Sequence, residues 1–280
     1  MKNILFYFCL FFFALNLNGQ SASKGWEKLY NGNDDDLDSF DDVLLDGNFV
    51  VAAGRIYQDN DYKILIAKFD LNGNQVWAKT SGVAGLDLNT YYLQKGANGT
   101  YYVLGYANSG EHFISSFNPT TGASLNIKAF NFLINDFITL SDGSFILAGE
   151  KNDKPTLFKY DQNLNEIWAK PLNFTFSQGF QAGPLYAVSP IPGGGFYVIT
   201  RGVDLFSSTS SGDVVIGKTD AQGNLLWSKP FGGSKEELFA DSYANGARSH
   251  IITTQVGGFA FVVSTKSPEY IAVGQTAWVV

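Results

Sequence analysis

Short apolar segments alternate along the chain with turns rich in Gly, Asp and Asn, and one such unit recurs. Each copy is a turn followed by β-branched and aromatic residues, a pattern that predicts a strand. The copies are residues 46–54 (DGNFVVAAG), 98–106 (NGTYYVLGY), 142–150 (DGSFILAGE), 193–202 (GGGFYVITRG) and 256–264 (VGGFAFVVS). Their turn glycines, at positions 47, 99, 143, 194 and 257, are 52, 44, 51 and 63 residues apart. Such intervals predict a repeat architecture.

A second element follows each turn copy. Its good copies are residues 63–79 (KILIAKFDLNGNQVWAK), 155–170 (PTLFKYDQNLNEIWAK) and 213–229 (DVVIGKTDAQGNLLWSK), and residues 112–128 are a weaker one. An Asp precedes the Trp by seven residues in each good copy, and we expect it to accept hydrogen bonds from the amides just ahead. Gly73 and Gly223 supply the left-handed conformation of a tight hairpin. The copy between them lacks this Gly and offers Asn163 and Asn165.

One repeat therefore contains four strands, the first being the segment before the turn copy (41–45, 137–140 and 186–189). Four short antiparallel strands per repeat are typical of a β-propeller blade, and we expect an all-β fold. The Trp of the fourth strand then packs between neighbouring blades, and the Lys two residues later lays its stem along that surface. A β-helix fits less well, because its repeats are shorter and its strands parallel.

The two ends of the chain complement each other. Residues 25–30 (GWEKLY) contain Trp26 and Lys28 at fourth-strand spacing, and residues 275–280 (QTAWVV) match a third strand. We expect the N-terminal strand to pair with the last blade, which removes the open edges of that blade. The result is a single domain, 24–280, of five closed blades: about 40–84, 85–132, 133–175, 180–233, and 245–280 with 24–31. Part of a longer propeller, with six or more blades, is the alternative.

Residues 1–20 have the pattern of a secretory signal peptide, with Lys2 ahead of the apolar run 4–15 and a polar tail. Cleavage is expected between residues 19 and 23, preferably after Gln20. A membrane anchor would need about 20 apolar residues, so we expect no membrane span in the mature chain. The prediction is a secreted, periplasmic or cell-surface protein. Cys9 is the only cysteine and is removed with this segment, which excludes thiolate nucleophiles and cysteine metal sites.

Charge and composition exclude further classes. The 280 residues include 19 Lys and Arg against 26 Asp and Glu, a formal net charge of −7, with no basic block. A nucleic-acid partner is therefore not expected. With 45% hydrophobic and 16% charged residues, the chain is not disordered.

With these motifs in view, the chain resembles the secreted bacterial β-propeller repeat proteins. The resemblance is carried by DGNFVVAAG, LIAKFDLNGNQVWAKTSG and VVIGKTDAQGNLLWSKPFGG, and it covers most of residues 24–280. It implies a propeller that serves as a structural or binding module, since no catalytic motif accompanies these repeats. The second repeat departs most, with Leu125 and Ile127 around the place of its Trp.

The richest polar cluster is residues 31–42 (NGNDDDLDSFDD). Asp34, Asp36 and Asp38 have the 1, 3, 5 spacing with which oxygen-rich loops ligate Ca²⁺, and they are the candidate metal ligands. Ser39 stands where such loops need Gly, and Leu45 where they need Glu. The cluster thus predicts at most a weak calcium site, and the alternative is a solvated connection held open by repulsion. No other cofactor is expected.

Other chemistry is sparse. His112 and His250 are the two histidines, 138 positions apart, which disfavours a zinc site or a nucleophilic triad; His250 falls in the expected inner strand of the last blade. Carboxylates about 5–9 Å apart can hydrolyse glycosides. The inner-strand acids able to do so are Asp41, Asp42 and Asp136.

The sequence therefore predicts an exported, monomeric, non-catalytic propeller that acts as a binding or structural module for protein or glycan at the cell envelope. The alternative is a five-bladed enzyme of the glycoside-hydrolase type, with carboxylates at the central channel.

Overall fold

The computed structural model describes residues 26–30, 38–175, 180–204, 213–231, 237–238, 250–254, 257–265 and 276–279. Every regular element in this part of the chain is a β-strand, and all strand pairs are antiparallel. None of the described residues belongs to a helix long and apolar enough to cross a membrane. The expectation of an all-β chain is confirmed.

The first three sheets each contain four consecutive strands paired in chain order. Sheet 1 consists of β1 (Ser39–Asp46), β2 (Phe49–Gln58), β3 (Asp61–Asp70) and β4 (Gln75–Ser81). Sheet 2 consists of β5 (Leu88–Lys95), β6 (Tyr101–Ala107), β7 (His112–Phe117) and β8 (Ser124–Phe130). Sheet 3 consists of β9 (Leu133–Thr139), β10 (Phe145–Lys151), β11 (Lys154–Tyr160) and β12 (Glu166–Pro171).

Sheet 4 has the same order with a divided first strand. Its strands are β13 (Phe180–Ala182), β14 (Ala187–Pro190), β15 (Phe196–Asp204), β16 (Val214–Thr219) and β17 (Leu225–Phe231). β13 and β14 pair one after the other along the edge of β15 opposite β16.

Sheet 5 repeats the divided first strand but lacks a fourth strand within the described residues. It consists of β18 (Glu237–Leu238), β19 (His250–Thr253), β20 (Phe259–Thr265) and β21 (Thr276–Val279). β18 and β19 pair along one edge of β20, and β21 pairs with the other edge. β21 is therefore in the third-strand position expected for residues 275–280.

The N-terminal segment differs from expectation. Trp26–Tyr30 form no strand, and within the described residues β21 pairs with β20 alone. Trp26 donates a hydrogen bond from Nε1 to the carbonyl of Leu71 (3.1 Å), and its ring lies 5.2 Å from that of Phe69. The described start of the chain thus packs against sheet 1.

The hydrophobic core lies between successive sheets. Four clusters of buried side chains join sheets 1 and 2, 2 and 3, 3 and 4, and 4 and 5. Alternate residues of one strand enter different clusters: Val103 contributes to the first and Leu104 to the second. Because both faces of a second strand are buried, its sequence is apolar without interruption.

The fourth-strand Trp packs onto the next sheet, as the repeat pattern predicts. The ring of Trp77 lies against Gly122 of sheet 2, and the ring of Trp168 lies against Gly223 of sheet 4. The aliphatic stem of Lys170 also covers Gly223, as expected for the Lys that follows this Trp. Each ring therefore packs against the hairpin between the third and fourth strands of the following sheet.

The hairpin aspartates behave as predicted. Asp70 accepts backbone hydrogen bonds from Asn72 (2.9 Å) and Asn74 (2.8 Å), and Asp161 and Asp220 do the same in their hairpins. One expectation is wrong. The residue with positive φ in the third-sheet hairpin is Leu164 (φ 61°), not Asn163 or Asn165. Asn165 instead donates its side-chain amide to Asp161.

Candidate functional site

One cavity of about 950 Å³ runs between the innermost strands of all five sheets. Sheets whose first strands surround a common central channel constitute a β-propeller. The residues that line the channel are Asp41, Asp42, Val43, Leu44, Leu45, Tyr92, Leu93, Gln94, Lys95, Asp136, Ile138, Val188, Ser189, Pro190 and Ile251. These residues belong to β1, β5, β9, β14 and β19. This channel is the candidate functional site.

A β-bulge in the innermost strand positions polar residues at the channel. The pairing of β1 with β2 skips Asp41, and the pairing of β9 with β10 skips Asn135. Opposite each bulge stands a glycine, Gly54 or Gly149, where an added Cβ would lie 1.8 Å from an inner-strand carbonyl oxygen. Gly54 and Gly149, close to the end of their turn copies, are therefore required for this close approach.

The residue after the bulge joins its sheet to the next. Asp42 accepts the amide of Val43 at one oxygen (2.9 Å) and the amide of Leu93, in sheet 2, at the other (2.7 Å). Asp136 repeats this geometry with Phe137 (2.8 Å) and Val188 (2.9 Å) of sheet 4. Both carboxylates therefore fix the innermost strand of the neighbouring sheet.

The bulge residues themselves make a second set of bonds between sheets. Asp41 accepts hydrogen bonds from the hydroxyls of Ser39 (2.9 Å) and Thr90 (2.5 Å), the latter in sheet 2. Asn135 donates its side-chain amide to the carbonyl of Leu185 (2.9 Å). The candidate acids Asp41, Asp42 and Asp136 thus all line the channel, as their inner-strand positions predict, and all three carry structural hydrogen bonds.

Hydroxyl groups join sheets 4 and 5. Thr253 donates its amide to the hydroxyl of Ser189 (3.1 Å) and its own hydroxyl to the carbonyl of Pro190 (2.7 Å). No carboxylate occurs in β14 or β19. The acids of the channel wall accordingly come from sheets 1 and 3.

Aliphatic side chains are unusually exposed in this wall. Val43 is 62% and Leu45 71% exposed, although both belong to the innermost strand of sheet 1. Ile138 and Pro190 add aliphatic surface from sheets 3 and 4. The channel therefore combines hydrogen-bonded carboxylates with accessible apolar side chains.

A charged cluster lies at the C-terminal end of β1. Asp46 accepts hydrogen bonds from Lys95 and from the phenol of Tyr101 (2.5 Å each), and the ammonium of Lys68 stands 3.6 Å away. The hydrogen bond from Lys95 is the main reason that the pKa of Asp46 is lowered. The Lys68 ammonium also donates to Tyr101 (2.9 Å) and lies 4.5 Å from the centre of the Phe49 ring.

The two histidines belong to different sheets. His112 is buried (6% exposed) between sheets 2 and 3, and burial lowers its pKa to about 4. Its Nδ1 atom has no hydrogen-bond partner within the described part of the chain. His250 begins β19, the innermost strand of sheet 5, as expected.

The calcium candidates fall mostly outside the described residues, namely Asp34 and Asp36. Asp38 is described, and its Oδ1 accepts the backbone amide of Tyr57 (2.8 Å). Among the described residues no three His, Cys, Asp or Glu side chains come together as a metal site would require. The calcium site stays a prediction.

An aromatic group beside the bulge of β5 was not foreseen. The rings of Tyr91 and Tyr106 stack at 5.2 Å with an interplanar angle of 17°, and the His112 ring lies 6.5 and 6.3 Å from them. Tyr91 is the bulge residue of β5. Tyr91 aligns with the bulge residues Asp41 and Asn135 of the neighbouring repeats, and this alignment is the sequence feature that could have identified it.

Comparisons with known proteins give likeness of fold alone. No protein-family model matches the chain, and no curated protein matches it. Among solved structures, the Dos1 propeller is 11% identical with a TM-score of 0.49, over 81% of this chain and 53% of that one, so the chain spans about half its length. The β-propeller domain of the Trilobed protease from Pyrococcus furiosus is 11% identical, with a TM-score of 0.46 over 87% and 68% of the two chains. An endo-arabinase from Bacteroides thetaiotaomicron is 12% identical, with a TM-score of 0.44 over 87% and 93%.

Proposed function

We propose that this chain is an exported five-bladed propeller, closed by its N-terminal segment, that acts as a non-catalytic binding or structural module at the cell envelope. Its ligand, a protein or a glycan, contacts the mouth of the central channel. Export rests on the signal-peptide pattern of residues 1–20. The five sheets are the five blades of this ring.

Ring closure is supported by the position of Trp26. Its ring lies against Gly73 of sheet 1, as Trp77 lies against Gly122 and Trp168 against Gly223. In those two cases the Trp belongs to the fourth strand of the preceding sheet. Trp26 therefore occupies the place of a fourth-strand Trp ahead of sheet 1, and sheet 5 is the sheet whose described part lacks that strand.

The observation that carries a non-catalytic role is the bonding of the channel carboxylates. Asp42 and Asp136 each hold a backbone amide of the next sheet while both of their oxygens accept hydrogen bonds. Their position is explained by the joining of sheets, without a role in catalysis. The accessible surface that remains includes the aliphatic side chains of Val43 and Leu45, which suit binding.

The test is a glycan and peptide array probed with the chain lacking residues 1–20, followed by assays for hydrolysis of each glycan that binds. We expect binding without turnover, and weaker binding after Leu45→Arg, which places a charge in the channel at a 71% exposed position. Absence of any binding, or binding unaffected by Leu45→Arg, contradicts the proposed site.

A glycoside-hydrolase role is the second candidate, because Asp41, Asp42 and Asp136 line one cavity. It predicts turnover of a polysaccharide that Asp42→Asn abolishes without lowering the melting temperature. The structural role predicts no turnover and a lower melting temperature in the same variant. The two outcomes separate the candidates.

A further inference from the structure

Aliphatic residues from three sheets line the channel. Val43 and Leu45 project from β1 with 62% and 71% of their surfaces exposed. Ile138 of β9 and Pro190 of β14 line the same cavity. Accessible aliphatic side chains in a concave site favour an apolar group that covers them.

The same wall carries an excess of negative charge. Its described lining residues include three carboxylates, Asp41, Asp42 and Asp136, against the single ammonium of Lys95. That ammonium is itself paired with Asp46. In a chain with a formal charge of −7, the cavity therefore favours a cationic over an anionic ligand group.

The charged and aliphatic parts follow one another along β1. Asp41 and Asp42 precede Val43 and Leu45, and regular strand geometry places residues 42 and 45 about 10 Å apart. The cavity volume of about 950 Å³ is within the range of small-molecule sites. A linear molecule with an alkyl chain and a charged head matches this order.

We propose that the central channel binds a small aliphatic amine, with its alkyl chain along Val43 and Leu45 and its ammonium group near Asp41 and Asp42. This inference rests on the proposed binding function of the channel and specifies the chemistry of one ligand class. An ammonium group beside carboxylates gains Coulomb attraction, and salt weakens that attraction.

The test uses three probes of equal chain length, 1-octylamine, 1-octanol and octanoate, titrated calorimetrically into the chain lacking residues 1–20 at neutral pH and low salt. We expect octylamine to bind most tightly, octanol more weakly and octanoate least. Added salt should reduce the advantage of octylamine over octanol. Absence of octylamine binding, or octanoate binding as tight as octylamine binding, overturns the proposal.

A matched pair of variants locates the site. Val43→Ser combined with Leu45→Ser should weaken octylamine and octanol at least about tenfold, since both lose alkyl contact area. Leu226→Ser is the control, because Leu226 is 58% exposed but lies on the outermost strand of sheet 4. Equal weakening by the control, or none in the channel variant, places binding elsewhere and overturns the proposal.

The array experiment distinguishes this inference from the proposed function. Array binding that Leu45→Arg weakens, without octylamine binding, leaves the binding module intact and rejects the amine site. Octylamine binding that depends on Val43 and Leu45 supports the amine site whatever the array gives. Absence of both rejects both.

Discussion

The indole ring of Trp168 in sheet 3 lies against the backbone of Gly223 in sheet 4. A Cβ added to Gly223 would stand 2.6 Å from the ring, and the residue has φ +78°. The same relationship joins Trp77 with Gly122 (φ +70°) and Trp26 with Gly73 (φ +81°). Glycine is therefore needed in these hairpins both for its backbone conformation and for the approach of the preceding Trp.

Gly122→Ala should destabilise the protein more than Gly99→Ala. Both residues have positive φ, but a Cβ at Gly122 would stand 2.5 Å from Trp77, whereas a Cβ at Gly99 meets nothing within 4 Å. We expect about 1–2 kcal/mol from backbone strain in each variant. Overpacking should add about 1–3 kcal/mol in Gly122→Ala alone. Urea unfolding measures both, and equal losses would contradict the role of the Trp contact.

Sheet 2 lacks the fourth-strand Trp, and a leucine of sheet 3 takes the place of its ring. In sheet 2, Asn126 pairs with Ser116, as Trp77 pairs with Lys68 in sheet 1. Asn126 therefore occupies the position of the fourth-strand Trp, and sheet 2 has no Trp there. In the next sheet Leu164 stands at the hairpin position of Gly73 and is 5% exposed. The Leu side chain thus fills the space that a preceding Trp fills elsewhere.

Leu164→Gly should lower the free energy of unfolding by about 2–4 kcal/mol, because the loss of a buried side chain outweighs the relief of its positive φ. Asn126→Trp should restore part of this loss in the double variant while destabilising the chain that retains Leu164. A double-mutant cycle by urea unfolding should give a favourable coupling of about 0.5–3 kcal/mol. Additive effects would show that the two positions do not share one space.

His112 should make the protein sensitive to mild acid. Burial lowers its folded-state pKa to about 4, whereas the unfolded chain titrates near the ordinary value of 6.5. The unfolded state then binds the extra proton between pH 6.5 and 4, so stability falls as pH falls through this window, by up to about 3 kcal/mol.

His112→Gln should flatten the unfolding free energy between pH 6.5 and 5, measured by urea titration at each pH. The hairpin carboxylates Asp70, Asp161 and Asp220 have pKa values lowered from 3.8 by hydrogen bonds, so their losses come at lower pH. An unchanged slope in the variant would assign the acid sensitivity to other groups.

Asp136→Asn should destabilise the protein by about 1–3 kcal/mol, since one of two backbone amides then faces an NH₂ group in place of an acceptor. Asp153→Asn is a matched control, because Asp153 is exposed in the turn between β10 and β11. Chemical unfolding compares them. A loss no larger than that of the control would mean that Asp136 does not join sheets 3 and 4.

The repeat pattern predicted most of the fold, because each strand type has its own local signal. The turn glycines and the Asp before each Trp mark hairpins whose bonding depends on neighbouring residues only. Leu164 could not be assigned in this way. Its positive φ results from packing against another sheet, and that contact outweighs the preference of Asn163 and Asn165 for the conformation.

The site was predicted in part. The inner-strand positions of Asp41, Asp42 and Asp136 placed them at the channel, because first strands lie innermost in a propeller. Their hydrogen bonds to the next sheet depend on β-bulges and on the distance between sheets. Neither of these can be read from the local sequence. The exposure of Val43 and Leu45 was not predicted, because an apolar strand predicts burial.

The register of the repeats specifies how the N-terminal segment should complete sheet 5. Lys229, two residues after Trp227, pairs with Ile216, and Ile216 pairs with Ile199. Ile199 is three residues after Phe196 in its turn copy, and Val262 is three residues after Phe259 in the last copy, so the two correspond. Val262 pairs with Val279. Lys28, two residues after Trp26, should therefore pair with Val279.

Disulfide trapping of this pair measures ring closure directly. The chain without residues 1–20 contains no cysteine. Lys28→Cys with Val279→Cys should give an intramolecular cross-link under mild oxidation, because paired strands bring Cα atoms within about 6 Å. Lys28→Cys with Thr276→Cys, three residues out of register, should cross-link much less. Non-reducing electrophoresis and peptide mass analysis at low protein concentration distinguish the outcomes. Efficient cross-linking within one chain is the result that a closed five-bladed ring predicts, and its absence, or cross-linking between chains only, would contradict closure.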